Sequence, residues 1–236
     1  MNPFAALLDL FLPRICHVCE RKLLPQEQFV CTGCISRLPS TGYEKYWTNK
    51  DGVNSDLNPM EQRFAGQIPL ERACAPFFYT RDSSLASLVH DFKYRGFSQL
   101  AVTLGEIGAK NLSASGFFAD TDILLPVPLH WRKQMKRGYN QSEMIAKGIS
   151  KFTGIPVGRQ LVAKRGHRTQ TSLTSEQRIA NTKGIFEVKN PETLEGKKIM
   201  LVDDICTTGA TLLSASGAVM ASVKNVRISL FTLGAV

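Results

Sequence analysis

The sequence lacks the features that would place a chain in a membrane or send it out of the cell. No apolar run approaches the roughly 20 residues that a membrane-spanning helix needs. The apolar start, MNPFAALLDLFLP, has neither the basic flank nor the cleavage site of a signal peptide. We expect a short amphipathic helix there, with a membrane-surface segment as the alternative. These absences predict a cytoplasmic protein with no membrane span. Its 236 residues suffice for one ordinary domain and a small module.

Acidic residues are scarce in one stretch of the chain. The net charge is +9 at pH 7, and residues 130–168 contain ten lysines or arginines but a single acid, Glu143. A stretch of this kind can hold a phosphorylated small molecule or a nucleic acid, or it can be an ordinary solvated basic surface. Charge alone leaves these alternatives open.

Cysteines are few, but four of the six form a pattern. Two pairs with the spacing Cys-x2-Cys are separated by eleven residues, and they consist of Cys16, Cys19, Cys31 and Cys34. This spacing is typical of structural zinc sites, in which four thiolates complete a tetrahedron and leave no open position. Two disulfides are the alternative, which the absence of a secretion signal disfavours. We therefore predict one structural Zn²⁺ per chain in a module formed by residues 1–38, with the metal supplying much of its folding free energy.

The rest of the chain divides into a connector and an α/β domain. Residues 39–72 are rich in Pro, Gly, Asn and Asp up to about residue 70 and read as an irregular connector. Residues 73–236 alternate continuous apolar strands with amphipathic helices, which predicts a parallel sheet flanked by helices. Predicted helices cover SSLASLVHDFKY, residues 98–114, SEMIAKGISKFT and TLLSASGAVMASV, whereas APFFYT, DILLPVP, VGRQLVAK, KKIMLV and VRISLFTLGAV are predicted strands.

The stretch LVDDICTTGAT carries the clearest chemical signal. The apolar strand leads into Asp203 and Asp204 at the carboxyl end, the edge at which parallel sheets bind ligands. The following loop opens a helix whose free N–H groups suit a phosphate, and it contains Thr207, Thr208, Gly209, Ala210 and Thr211. The two carboxylates would repel a bare phosphate, but they can accept hydrogen bonds from sugar hydroxyls or face a bridging Mg²⁺. The pattern favours a ribose 5-phosphate unit, and the alternative is a capped helix with two incidental acids.

LVDDICTTGAT resembles the phosphoribosyl-pyrophosphate (PRPP) signature of type I phosphoribosyltransferases. With the cysteine-rich start, PVPLHWRKQMKRGYNQSEMIA and RTQTSLTSEQRIAN, the chain resembles the ComF/GntX family over nearly its whole length. The resemblance implies a type I phosphoribosyltransferase-like sheet that binds PRPP with Mg²⁺. It also implies an enzyme transferring the phosphoribosyl group to an acceptor that the sequence does not identify, with a possible role in DNA uptake and natural transformation. Asp203 and Asp204 would be its catalytic residues.

The resemblance also assigns further contacts. The segment Pro126–Lys133 resembles the pyrophosphate loop, where Arg132, Lys133 and Arg137 would neutralise the pyrophosphate. RGHRTQTSLTSEQRIAN resembles the catalytic loop that closes over PRPP, with candidate contacts at Arg168, Gln170 and Arg178, or else it is an ordinary surface loop. Lys93 in FKYRG belongs to a further stretch that resembles a family motif, and its role in the site stays open. So does that of Tyr139, which could stack on a base or pack against the sheet.

A second function belongs to a different class. The chain could be a non-catalytic competence factor whose zinc module and basic segment contact single-stranded DNA or proteins of the competence machinery. The two functions can coexist in one protein. PRPP affinity that depends on Asp203 and Asp204 would favour the first, and salt-sensitive binding of single-stranded DNA would favour the second.

Overall fold

The computed structural model describes residues 13–47, 56–164 and 184–236. These residues contain seven strands, which are β1 (Leu70–Cys74), β2 (Phe77–Phe78), β3 (Ile123–Pro126), β4 (Leu161–Ala163), β5 (Phe186–Val188), β6 (Lys198–Cys206) and β7 (Arg227–Ala235). They also contain seven α-helices, which are α1 (Thr32–Ile35), α2 (Pro59–Phe64), α3 (Ser84–Tyr94), α4 (Ser98–Leu112), α5 (Trp131–Arg137), α6 (Gln141–Thr153) and α7 (Ala210–Ser222).

The core of the protein is a parallel sheet with the order β1-β7-β6-β3, in which β2 also pairs with β7. β3 is buried along its whole length, and so are residues 199–202 of β6 and most of β7. Strands covered on both faces must be apolar throughout, which is why their sequences show runs rather than alternation. The predicted parallel sheet flanked by helices is confirmed.

One predicted strand lies outside this sheet. Val157 forms a single bridge with Leu124 of β3, and the chain then leaves the sheet. β4 pairs antiparallel with β5 in a separate two-stranded ribbon. The prediction of a strand over residues 157–164 is therefore right only for Leu161–Ala163, because the apolar residues there pack on a short ribbon instead of the sheet.

Two of the helices that flank the sheet, α3 and α6, begin at residues whose side chains cap them. The Ser83 hydroxyl accepts a hydrogen bond from the backbone N–H of Ala86 at the start of α3. α6 begins after Asn140 and ends before Gly154, which has a φ of 78°. α4 and α6 cross without space for side chains, since a Cβ on Gly148 would collide with the carbonyl of Val102. This close crossing fixes α6 against α4, and with it the first turn of α6 beside the sheet.

The connector is more ordered than its composition predicts. α2 is capped by Asn58, whose side chain accepts from the backbone N–H groups of Met60 and Glu61, while the Glu61 carboxylate accepts from the N–H of Asn58. The Asn58 amide also donates to the carbonyl of Ala73 at 2.8 Å, which ties α2 to β1. The prediction of an irregular connector is wrong for this part, because a capping box with Pro59 at the first helical position stabilises a helix. The division into domains at residues 38 and 72 stays a prediction.

Two sequence predictions concern segments outside the described residues. These are the N-terminal amphipathic helix and the loop that contains Arg168. None of the helices in the described ranges combines the length and the apolar composition of a membrane-spanning segment.

Candidate functional site

Asp203 and Asp204, which we call the acidic pair, lie inside β6 rather than after it. β6 continues to Cys206, and its register with β7 pairs Asp203 with Thr232 and Cys206 with Ala235. The prediction that the carboxylates leave the end of the strand is wrong by a few residues, because β7 still offers backbone partners to this polar end. Both carboxylates nevertheless lie near the carboxyl end of the sheet, where ligands bind in folds of this type.

Each carboxylate of the pair has a partner from a different helix. Lys93 at the end of α3 places its Nζ 2.6 Å from Oδ2 of Asp204, and the two side chains are 18% and 17% exposed. Ser142 in the first turn of α6 donates its hydroxyl to Oδ1 of Asp203 at 2.9 Å. Lys93 was an open candidate from its sequence motif, and the structure brings it into the site. Ser142 was missed, and no local signal in the sequence distinguishes it from other serines near a helix start.

The environment of the Asp203 carboxylate disfavours its negative charge. Burial raises the pKa of Asp203 to about 7, and the neighbouring charge of Asp204 acts in the same direction. The hydrogen bond from Ser142 and the charge of Lys93 oppose this rise without cancelling it. Within the described residues, Oδ2 of Asp203 has no hydrogen-bond partner in the protein. The pair thus offers a half-buried acceptor whose protonation changes near neutral pH.

The loop after β6 turns at a glycine just before α7. Gly209 has a φ of 80°, a left-handed conformation that favours glycine, and it directly precedes α7. The side chains of Thr207, Thr208 and Thr211 are exposed, and Ala210 is half-buried. The first N–H groups of α7 therefore face a loop of small and hydroxylated residues, as the sequence predicts.

The connector helix α2 closes one side of this loop. The Arg63 guanidinium donates to the carbonyl of Thr207 and, at 2.8 Å, to that of Val236. A Cβ on Gly209 would lie 2.8 Å from the ring of Phe64, so this position also leaves no room for a side chain. Sequence inspection missed both residues, although the Asn58–Glu61 capping box was a signal for the helix that carries them.

The predicted pyrophosphate loop continues into a helix, and its last residues lie on that helix. Arg132 and Lys133, predicted in the pyrophosphate loop, are exposed on α5, which begins after the short loop that follows β3. Arg137 ends α5, donates to Oε1 of Gln141 at 3.0 Å and lies 5.2 Å from the ring centroid of Tyr94. The Tyr139 hydroxyl donates to the carbonyl of Phe92, so this tyrosine packs inside the protein. Arg168, Gln170 and Arg178 lie outside the described residues.

The four cysteines of the N-terminal module converge. Their sulfur atoms all lie within 4.8 Å of one another, and Sγ of Cys19 is 3.7 Å from Sγ of Cys31. Metal–sulfur bonds of about 2.3 Å in a tetrahedron separate the sulfurs by about 3.8 Å, so the residues fit a zinc ion. Burial raises the pKa of the Cys31 thiol, but hydrogen bonds from Arg21 and from the module outweigh it and bring the pKa to about 6. The four cysteines together can therefore bind a metal ion. The remaining two cysteines of the protein, Cys74 and Cys206, are buried outside this module.

The sheet, the acidic pair and the glycine loop together define a phosphoribosyltransferase-like domain. A family model described as phosphoribosyl transferase domain matches residues 137–233, which include the pair and the loop. Competence protein ComFC of Bacillus subtilis is 30% identical over 226 residues, covering 93% of this chain and 83% of that protein. The chain belongs to the ComF family of phosphoribosyltransferase-like proteins.

Other relatives agree with this placement. Competence protein F of Haemophilus influenzae is 28% identical over 213 residues, covering 87% of this chain and 90% of that protein. DNA utilization protein YhgH of Escherichia coli K12 is 25% identical over 209 residues, with coverages of 86% and 89%. A glutamine PRPP amidotransferase from B. subtilis, solved with ADP and GMP, is 18% identical with a TM-score of 0.40. That match covers 60% of this chain and 30% of that chain, and it is too distant to carry an argument about function.

Proposed function

We propose that the protein binds PRPP with Mg²⁺ between the acidic pair and the loop 207–211, and transfers its phosphoribosyl group during the handling of DNA taken up by the cell. The observation that carries the proposal is the position of Asp203 and Asp204 on the strand that leads directly into the Gly209 loop. The loop's N–H groups suit the 5-phosphate, and the carboxylates suit the ribose hydroxyls. The names of the ComF relatives support the link to DNA uptake.

The transfer would exchange one bond at C1 of the ribose for another. The C1–O bond breaks with its electron pair leaving on pyrophosphate, the acceptor's lone pair forms the new bond to C1, and the acceptor's proton passes to solvent or to a base. Asp203 and Asp204 would stabilise the positive charge that develops on the ribose. A magnesium ion would supply charge neutralisation of the pyrophosphate, and Arg132 and Lys133 would add to it from α5. No described residue stands out as the base, and the acceptor stays open.

Isothermal titration calorimetry of the full chain with PRPP and Mg²⁺ tests this function directly. We expect saturable binding to one site per chain, and weaker binding of ribose 5-phosphate and of pyrophosphate, because each fills only part of the site. Binding of pyrophosphate as tight as that of PRPP would contradict the role of the acidic pair. Absence of any affinity for PRPP and ribose 5-phosphate would refute the proposed function.

The raised pKa of Asp203 predicts a pH dependence of PRPP affinity. The ionised carboxylate is the form that accepts hydrogen bonds from ribose hydroxyls, and a folded-state pKa of about 7 means that this form is lost as the pH falls. Its fraction rises from about one tenth at pH 6 to about nine tenths at pH 8, so we expect affinity to rise about tenfold over that range. Calorimetric titrations at several pH values measure this change.

Asp203→Asn is the control for that profile. It keeps an oxygen for Ser142 and removes the titrating group, so only the pH dependence of the ligand's own phosphates should remain. Identical profiles for the wild type and Asp203→Asn would show that Asp203 does not titrate in the site.

A second candidate function is binding of single-stranded DNA, and a specific surface favours it. The rings of Trp131 and Tyr94 are 43% and 61% exposed, and each has a guanidinium 5.2 Å from its centroid, from Arg132 and Arg137 respectively. Exposed aromatic rings interleaved with basic side chains are the usual components of surfaces that bind single strands by stacking and phosphate contact. The relatives named for competence and DNA utilization agree with such a partner.

We expect that replacing these two rings causes a measurable loss of affinity for single-stranded DNA. Stacking contributes about 1–3 kcal/mol per base, so Trp131→Ala with Tyr94→Ala should weaken binding of a labelled oligo(dT) at least about tenfold in fluorescence anisotropy. Phe152→Ala is the matched control, because Phe152 is also 40% exposed beside a lysine, Lys110, on another part of the surface. Equal losses in both variants, or none in the double variant, would argue against this surface.

A further inference from the structure

Four consecutive residues at the end of α3 contact three different parts of the molecule. Asp91 contacts the cysteine module, and Phe92 accepts a hydrogen bond through its carbonyl from Tyr139. Lys93 contacts the acidic pair, and Tyr94 lies under the guanidinium of Arg137. Successive residues of a helix point about 100° apart, so one turn can reach neighbours on all sides. We call residues 91–94 the junction turn.

The cysteine module meets the junction turn through a buried polar pair. Nδ1 of His17 lies 2.7 Å from Oδ2 of Asp91, and the two side chains are 16% and 7% exposed. His17 stands between the metal-site residues Cys16 and Cys19, so its position depends on the fold of the metal loop. Its ring packs edge-on against Phe97, with the ring centroids 4.6 Å apart. A shift of the metal loop would therefore break a hydrogen bond in a place that water does not easily reach.

The other side of the junction turn meets the candidate ligand site. Lys93, two residues after Asp91, forms the 2.6 Å contact with Asp204 described above. Without this cation, the Asp204 carboxylate would present uncompensated negative charge to a ligand that itself carries phosphate. A shift of the turn by about 1 Å would take Nζ of Lys93 beyond hydrogen-bond distance of Asp204. The position of the turn thus sets the charge that the ligand meets.

We propose that metal binding in the cysteine module and ligand binding at the acidic pair are coupled through the His17–Asp91 contact and the junction turn. The coupling rests on the proposed function, since it takes PRPP with Mg²⁺ as the ligand. In this arrangement Asp91 is a positioning residue: it touches no ligand, but it holds the turn that carries Lys93. Coupling between two binding sites is reciprocal, so each ligand must strengthen the binding of the other by the same factor.

Substitutions at Asp91 test the coupling without touching a cysteine. Asp91→Ala removes the oxygen that pairs with His17, and we expect about tenfold weaker PRPP binding by calorimetry while the metal content of the protein stays at the wild-type level. Asp91→Asn keeps an oxygen for the His17 N–H and should recover most of the affinity. Asp82→Asn, an exposed position just before the same helix, is the matched control and should bind as the wild type does.

Two further measurements separate positioning from a general loss of structure. In a Lys93→Met background, Asp91→Ala should have little additional effect on PRPP affinity, because the side chain through which it acts is gone. Zinc affinity, measured at equilibrium by competition with a chromophoric chelator, should rise in saturating PRPP by the same factor in the wild type and should not change in Asp91→Ala. Additive effects of the two substitutions would overturn the proposal.

Hydrogen exchange distinguishes failure of the coupling from failure of the proposed function. If the wild type binds no PRPP, the proposed function fails, yet metal removal or Asp91→Ala should still speed amide exchange in residues 91–95 and 203–209. Unchanged exchange there would overturn the coupling independently of any ligand. PRPP binding in Asp91→Ala equal to that of the wild type, or loss of the metal from that variant, would overturn it as well.

Discussion

Replacement of both Asp203 and Asp204 by asparagine is expected to weaken binding of PRPP with Mg²⁺ by a factor of about 30 to 150. A hydrogen bond to a charged group contributes about 1–1.5 kcal/mol more than one between neutral groups, so losing the charge at two acceptors costs about 2–3 kcal/mol of binding free energy. The loop at Gly209 is untouched in this variant and should still bind inorganic phosphate weakly. Calorimetry with PRPP, and with phosphate alone, measures both effects.

The same sheet offers a matched control for this variant. Asp120 and Asp122 lie at the other end of the sheet, beside the amino ends of β3 and β6. There Asp122 accepts a hydrogen bond from the backbone N–H of Lys198, and Asp120 pairs with the Lys198 side chain. Asp120→Asn with Asp122→Asn removes the same charge and should leave PRPP affinity unchanged. An equal loss in the two double variants would mean that net charge, rather than the acidic pair, governs binding.

The acidic-pair variant should also remain folded. Because the pKa of Asp203 is raised to about 7 in the folded protein, its stabilising contribution is complete at low pH and is lost as the pH rises through 7. At pH 8 the buried charge of Asp203 opposes folding, and removing it offsets the loss of the Lys93–Asp204 ion pair. Asparagine at these positions should therefore leave the melting temperature close to that of the wild type. A large fall in melting temperature would show that the pair has a structural role.

Loss of one cysteine ligand is expected to have the largest effect on stability. We propose that the wild type carries about one zinc ion per chain when it is purified without chelator, and that Cys34→Ser reduces this to a small fraction. Structural zinc sites have binding free energies of about 10–16 kcal/mol that contribute to folding, so residues 13–38 should unfold in the variant. Elemental analysis measures the zinc, and limited proteolysis or hydrogen exchange measures the unfolding.

A cysteine outside the module controls for the loss of a thiol. Cys74 is fully buried in β1, far along the chain from the metal residues, and Cys74→Ala should retain the full zinc content. Zinc retained at the wild-type level in Cys34→Ser, or a wild type without zinc, would contradict the four-thiolate site.

The sequence predicts the parts of this protein that depend on local pattern. Apolar runs alternating with amphipathic helices predict the parallel sheet, and the cysteine spacing predicts a cluster that the fold does bring together. The capping box at Asn58 and Glu61 was also readable, yet the surrounding Asn and Asp residues masked it. Local composition and a capping signal compete in such a segment, and here the capping signal predominates.

The parts that could not be predicted are contacts between distant residues. The pairing of Lys93 with Asp204 and of Ser142 with Asp203 depends on where α3 and α6 pack on the sheet, which no spacing within either helix specifies. The length of β6 depends in the same way on a neighbour, because β7 pairs with its last polar residues. The apolar pattern of Leu161–Ala163 suits a strand of the main sheet and a strand of a separate ribbon equally well. The sequence therefore does not predict that these residues pair with β5.

The contact of α2 with the Gly209 loop has a consequence for how the protein can be divided. A fragment that starts at Ala73, where the alternation of strands and helices begins in the sequence, would contain every residue of the acidic pair and the loop. It would still lack Arg63, which joins the carbonyls of Thr207 and Val236, and Phe64, which covers Gly209. The minimal autonomous unit around the ligand site therefore has to include the chain from about Asn58 onward, although that stretch looks dispensable in the sequence.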